Sequence, residues 1–229
     1  MKTIGLIGGL SWQSSAEYYR LINELAAERL GGLHSAPCVL YSVDFANIER
    51  LQAADEWEAA GTHLADAASS VQAAGAELLV LCSNTMHKVA EQIEAAVDIP
   101  LLHLADVTAA AVLATTVTRV GLLGTSFTME QDFYRDRLAS HGLDVLAPEP
   151  EDRAIVHRVI YDELCHGLIR DESRREYQDV IERLTDRGAE GVILGCTEIE
   201  LLISEADSPL PVFPTTRLHA QAAVDAALG

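Results

Sequence analysis

Hydrophobic residues come in short bursts along this chain. KTIGLIG, CVLYSVDF, ELLVLC, PLLHLAD, RVGLLG, LDVLAP, GVILGC and PVFP are rich in Val, Ile and Leu. A short, continuous apolar run reads as a strand buried on both faces, the pattern of a parallel sheet. Between the bursts, residues 15–30, 55–74, 86–97, 130–141, 171–187 and 216–228 read as helices. Strands alternating with helices predict an α/β fold with mostly parallel sheets.

The pattern repeats. The run from Gly75 to Asn84 (GAELLVLCSN) aligns without gaps on the run from Gly188 to Thr197 (GAEGVILGCT), an offset of 113. IGLIGG at 4–9 resembles VGLLGT at 120–125, an offset of 116, and each leads through a polar turn into a helix carrying Tyr-Arg, at Tyr19-Arg20 and Tyr134-Arg135. All βα units share some likeness, but the common Gly-Ala-Glu lead-in and the common order favour duplication. The expectation is two pseudo-symmetric, Rossmann-like lobes with mostly parallel four-stranded sheets and an active site in the cleft between them. Residues 1–115 with 216–229 would form the N-terminal lobe and 116–215 the C-terminal lobe.

The repeat also sorts a cysteine from its neighbour. In the alignment Cys196 pairs with Ser83, and Cys82 pairs with Gly195. Adjacent strand residues point to opposite faces. If Ser83 leaves the strand end towards a shared site, Cys82 points back into packing.

Composition narrows the function. The chain has 229 residues, 49% of them hydrophobic, and a net charge of −19 at pH 7. Such an acidic surface argues against nucleic acid, which needs a basic one. An anionic substrate would need a locally positive pocket, yet of 16 basic residues only Lys2 and Lys88 are lysines. No apolar run has transmembrane length, and MKTIGLIGGLSW lacks the pattern of a signal peptide, so the expected location is the cytoplasm without membrane association. The cysteines, Cys38, Cys82, Cys165 and Cys196, form no C-x-x-C pair and no zinc spacing. Each also reads as a small buried hydrophobe. The phosphate-binding patterns G-x-x-x-x-G-K-[ST] and G-x-G-x-x-G are missing, which disfavours a nucleotide site.

In open α/β sheets, ligands bind beyond the carboxyl ends of strands. Gly8-Gly9-Leu10-Ser11-Trp12 offers a tight turn and helix-start N–H groups for a carboxylate, or is an ordinary turn. Ser83-Asn84-Thr85-Met86-His87 and Gly195-Cys196-Thr197-Glu198 each place a hydroxyl or thiol at a strand end, with polar residues that also serve as plain helix caps. As pseudo-symmetric partners, Ser83 and Cys196 are what a racemase needs: one group takes a proton from one face of a carbon and the other returns it on the opposite face. Gly124-Thr125-Ser126-Phe127-Thr128 mirrors the first loop and offers Thr125 to a second polar end of a substrate. His87, His103 and His166 are candidates for tuning charge. Asp44 is placed to orient a loop, and Gln52 to reach the cleft.

GGLSWQSSAEYY, LCSNTMHK, LLGT and GCTEIELL, in this order over nearly the whole chain, resemble the aspartate/glutamate racemase family. The resemblance implies two α/β lobes about a pseudo-dyad, commonly a homodimer, with no pyridoxal phosphate, no other cofactor and no metal. It implies a small acidic amino acid as substrate, and one catalytic cysteine per lobe, before Asn-Thr and within Gly-Cys-Thr. Here the first position is Ser83. That is closest to the bacterial L-aspartate/glutamate-specific branch, where a threonine stands there. The resemblance further implies substrate contacts at Leu10, Gln52, Ser83, Asn84, Thr85 and Thr197. Many relatives carry a lysine where Cys165 falls, which leaves the distal carboxylate without an obvious cation.

The expected reaction is racemisation of L-aspartate or L-glutamate by two-base proton transfer. The helix start after Cys196 is expected to lower the thiol pKa, with Thr85 and Thr197 stabilising the enolate. A serine is a poor base without an activating neighbour, so Ser83 needs help from His87, water or another group. Enantiomers have equal free energy, so a one-way racemase is excluded. The alternatives are a one-cysteine decarboxylase of the same superfamily and a non-catalytic protein that binds acidic amino acids.

Overall fold

The computed structural model describes all residues, 1–229. In chain order the first half contains β1 (Ile4–Gly8), α1 (Trp12–Leu30), β2 (Cys38–Ser42), α2 (Phe45–Ala53), α3 (Trp57–Ala73), β3 (Leu78–Leu81), a 3-10 turn at Thr85–Val89, α4 (Ala90–Ala95) and α5 (Leu104–Leu113). The second half contains β4 (Arg119–Gly124), α6 (Ser126–Glu130), α7 (Asp132–Ser140), β5 (Asp144–Leu146), α8 (Pro150–Asp162), a 3-10 turn at Leu164–His166, α9 (Asp171–Asp186), β6 (Gly191–Gly195), α10 (Ile199–Leu202), a 3-10 turn at Glu205–Asp207, β7 (Val212–Pro214) and α11 (Thr215–Leu228). No helix is long and apolar enough to cross a membrane.

The chain divides into two compact units, Met1–Leu104 with His219–Gly229, and Ala105–Leu218. The breaks expected after residues 115 and 215 thus fall after Leu104 and Leu218, and α5 belongs to the second unit.

The first unit holds a parallel sheet of order β2-β1-β3. It has three strands, not the expected four. The run PLLHLAD contributes one bridge, Leu79 to Leu101, fixed by Leu79 N–H to Pro100 O (2.8 Å) and Leu102 N–H to Leu79 O (2.9 Å). The helix α5 starts at Leu104, so the run leaves extended geometry before a strand can form. Strand β3 is apolar on both faces. Leu79 and Leu81 pack with Ile7, Leu51, Leu64 and Met86, while Leu78, Val80 and Cys82 pack with Leu6, Tyr18, Ile22 and Val224. That alternation is the period of two of an extended chain.

The second unit has a four-stranded parallel sheet, β5-β4-β6-β7. One face carries Leu123, Val192, Leu194 and Cys196 against Val156, Ile160, Tyr177 and Ile181 from α8 and α9. The equivalence of the halves shifts by one residue between α1 and α7. Tyr18 is buried, as is Tyr134, whereas Tyr19 is exposed. Tyr18 and Tyr134 keep the 116-residue offset of β1 and β4.

Candidate active site

In the first unit, the loop after β3 carries Ser83 and the loop after β1 packs beside it. Cys82 is fully buried, and burial pushes its thiol pKa well up. Ser83 is half-buried. Its Oγ accepts the Met86 N–H (3.3 Å). The two peptide carbonyls around Ser83 are both held by side chains: Ser14 Oγ–H donates to Cys82 O (3.2 Å), and His87 Nδ1–H donates to Ser83 O (2.7 Å). Since a carbonyl only accepts, Nδ1 carries the ring proton. The other ring nitrogen, Nε2, accepts the Leu104 N–H (3.2 Å). His87 therefore reaches Ser83 through the carbonyl, and the expected aid to the hydroxyl is not what the geometry provides.

The glycine loop is more occupied than expected. Gly9 has a φ of 81°, and a Cβ there would lie 2.1 Å from Val43 O, so glycine is required. Its N–H donates to Ser15 Oγ (2.7 Å), and Ser11 Oγ caps α1 through Ser14 N–H (3.2 Å). Leu10 packs into the cluster of Ile7 and Met86. Asp44 caps α2 through the Ala46 N–H (3.2 Å). That helix places Gln52 beside the Ser83 loop. Gln52 Nε2 faces Met86 Sδ (2.8 Å), and its buried Oε1 has no hydrogen-bond donor within the protein. Asn84 and Thr85 are buried next to Ser83, and the half-buried His103 ring lies 4.6 Å from the His87 ring.

In the second unit, Cys196 ends the apolar row of β6 and is 9% exposed. Its Sγ–H donates to Glu198 Oε2 (3.0 Å). The expected fall in the thiol pKa is reversed. Burial raises it well above the ordinary value, and the negative charge of Glu198 raises it further. The helix after Cys196, α10, spans only Ile199–Leu202 and does not offset these effects. At neutral pH Cys196 is a thiol bonded to a carboxylate.

In the sequence Glu198 is one of the polar residues of the Gly195-Cys196-Thr197-Glu198 loop, with no role of its own expected. Its position two residues after the cysteine is legible; its rotation back onto the sulfur is tertiary. Thr197 is buried beside it. Cys165 lies partly buried against the same apolar cluster as Cys196, and its thiol pKa is pushed up to about 12, mainly by burial and also by Glu198. Thr125 caps α6 through the Thr128 N–H (3.4 Å), and the next amide, Ser126 N–H, donates to His157 Nδ1 (3.1 Å). His157 had no sequence signal. His166 is exposed and is not part of this group.

Each unit thus places a hydroxyl or thiol just past a strand end, Ser83 after β3 and Cys196 after β6, on a parallel α/β scaffold. That defines the class as a two-unit parallel α/β protein with a polar side chain at a strand end in each unit. Residues 7–223 match the family model described as Asp/Glu/Hydantoin racemase, and the chain belongs to that family. It is 53% identical to a Yersinia pestis protein described as a candidate Asp/Glu racemase, with a TM-score of 0.94 over 100% of both chains. It is 32% identical to an aspartate racemase homologue from Pyrococcus horikoshii OT3, with a TM-score of 0.88, again over 100% of both. A glutamate racemase of Streptococcus pyogenes is 30% identical over 133 residues, which are 55% of this chain and 47% of that protein.

Proposed function

We propose that this protein racemises an acidic amino acid, aspartate or glutamate, by cofactor-independent two-base proton transfer. The observation that carries the reading is the Cys196 thiol bonded to the Glu198 carboxylate at the end of β6 (3.0 Å). The raised pKa keeps the buried thiol protonated, so it holds a proton to deliver to a strongly basic carbanion although it is a weak acid. To act as a base it must first lose its proton, and Glu198 is the acceptor within reach. In one direction Ser83 takes the α-proton and Cys196 delivers one to the other face; in the reverse direction the roles exchange.

Ser83 is the weaker base. The Met86 N–H on its Oγ would stabilise alkoxide character, though weakly at 3.3 Å. The buried Gln52 Oε1 suits an ammonium donor of the substrate. Asn84, Thr85 and Thr197 are assigned to the substrate carboxylate and the developing enolate. Cys165 stays neutral near pH 7, so it offers a distal carboxylate a thiol hydrogen bond and no charge.

The test is α-proton exchange of L-aspartate and L-glutamate in D2O by NMR, with chiral analysis of the products. Deuterium uptake with formation of the D-isomer, lost in Cys196→Ala, is expected. In Ser83→Ala, exchange should persist while inversion is lost. No exchange by the wild type on either substrate would sink the reading.

The asymmetry of the pair supports one competing reading. Only Cys196 has a carboxylate partner, as single-face protonation after decarboxylation requires. Carbon dioxide release from a disubstituted malonate, without amino acid exchange, would select it.

A further inference from the structure

We infer that His87 is a positioning residue for Ser83: a neutral imidazole that fixes the Ser83 peptide by donating to its carbonyl while anchored by the Leu104 amide. The inference rests on the racemase reading above.

Ser83 lies two residues past Leu81, the last residue of β3, where ladder bonding stops. Its N–H donates to Leu81 O (2.8 Å), a tight local bend, and the Cys82 N–H still pairs with Ile7 O (2.9 Å). Past that point no strand holds the backbone. Rotating the Ser83 carbonyl would swing its Cα–Cβ bond and move the hydroxyl. His87 prevents this rotation from four residues downstream, at 2.7 Å.

A histidine ring serves this purpose only if it cannot turn. Its far nitrogen accepts the Leu104 N–H (3.2 Å), and that segment is itself stitched down. Leu102 N–H donates to Leu79 O (2.9 Å), and His219 Nε2–H donates to Leu102 O (2.8 Å). Tyr18 Oη–H donates to the other nitrogen of His219, Nδ1 (2.9 Å). The two rings lie 5.9 Å apart and hold opposite tautomers, Nδ1–H in His87 and Nε2–H in His219. Each faces one donor and one acceptor, so a second proton on either ring would point an N–H at another donor.

Two variants separate the two bonds. In His87→Asn the side-chain amide occupies the place of Nδ1 and keeps the bond to Ser83 O. In His87→Gln it reaches the place of Nε2, keeps the Leu104 bond and loses the one to Ser83. The measurement is the ratio of inversion to α-proton exchange in D2O, for wild type and both variants. Loss of Ser83 alignment leaves Cys196 able to exchange a proton but not to invert the carbon. The ratio is expected to fall about tenfold in His87→Gln, the scale of one hydrogen bond, and to stay near the wild-type value in His87→Asn. A purely structural role would lower exchange and inversion together in both variants, and that result would overturn the inference while leaving the racemase reading intact. No exchange by the wild type would defeat both.

A second readout needs no turnover. In the 15N side-chain spectrum at neutral pH, the ring signal that disappears in both variants should be the Nδ1–H tautomer. An Nε2–H or cationic ring would also refute the assignment.

Discussion

Glu198 and Cys82 show how one residue's surroundings decide its chemistry. The carboxylate of Glu198 both accepts the Cys196 proton and raises the thiol pKa, so its removal has opposite effects on two measurements. In Glu198→Gln the negative charge is gone, and Cys196 should alkylate faster with iodoacetamide at a given pH. Turnover should nevertheless fall about 100-fold, the usual scale for a lost general base. Faster alkylation with unchanged turnover would remove Glu198 from the mechanism. Cys82 is the converse case. It is fully buried among Leu6, Val80 and Ile22, on the opposite face from Leu81. Cys82→Ala should cost roughly 1–2 kcal/mol in urea unfolding and leave exchange in the folded protein close to wild type. Loss of exchange with unchanged stability would show that the wrong residue of the pair has been assigned to packing.

At the scale of elements, close approaches set which residues are allowed. A Cβ on Gly195 would lie 2.9 Å from Leu123 O, the carbonyl of the neighbouring strand β4. This explains why the counterpart of Cys82 in the repeat is a glycine. Gly195→Ala should push β6 from β4 next to Cys196 and lower stability by about 1–3 kcal/mol, with a larger loss of turnover than that alone implies. An unchanged melting temperature would contradict the packing argument. The C-terminal helix α11 is tied to the first unit by His219, whose pKa is lowered to about 4, mainly by burial. The unfolded chain, with an ordinary value of 6.5, binds the proton first as pH falls. Stability from this group is therefore full above about pH 6.5 and declines by roughly 3 kcal/mol on the way to pH 4. His219→Gln should flatten that part of the curve of urea midpoint against pH. Equal slopes for variant and wild type would exclude the linkage.

For the whole molecule, the net charge of −19 is the dominant long-range term. Self-repulsion of this size destabilises the folded state, and salt screens it. Raising ionic strength from ~0.01 M to ~0.1 M shortens the Debye length from about 30 Å to about 10 Å. The melting temperature should rise over this interval and then level off. A fall would mean that the many Arg–carboxylate pairs on the surface, such as Arg137 with Asp106 (2.7 Å), outweigh the net repulsion.

The sequence alone determined the α/β alternation, the internal repeat of motifs and the strand-end positions of Ser83 and Cys196, because each is a local or periodic pattern. The helix α8, absent from the expected helices, is also legible: Pro150 at its first turn, acids at 151 and 152, and Val156, Val159 and Ile160 on one face are ordinary start and burial signals. The run PLLHLAD was not legible. A short apolar stretch fits a strand or a buried turn into a helix equally well, and only the packing of Leu101 on β3 and the helix from Leu104 decided it. Tertiary structure alone decided the protonation chemistry. Nothing local says that Glu198 folds back onto Cys196, that burial raises that thiol, or that His87 grips a carbonyl and not a hydroxyl. Those outcomes depend on which groups are brought within 3 Å and how much water is excluded, and sequence spacing encodes neither.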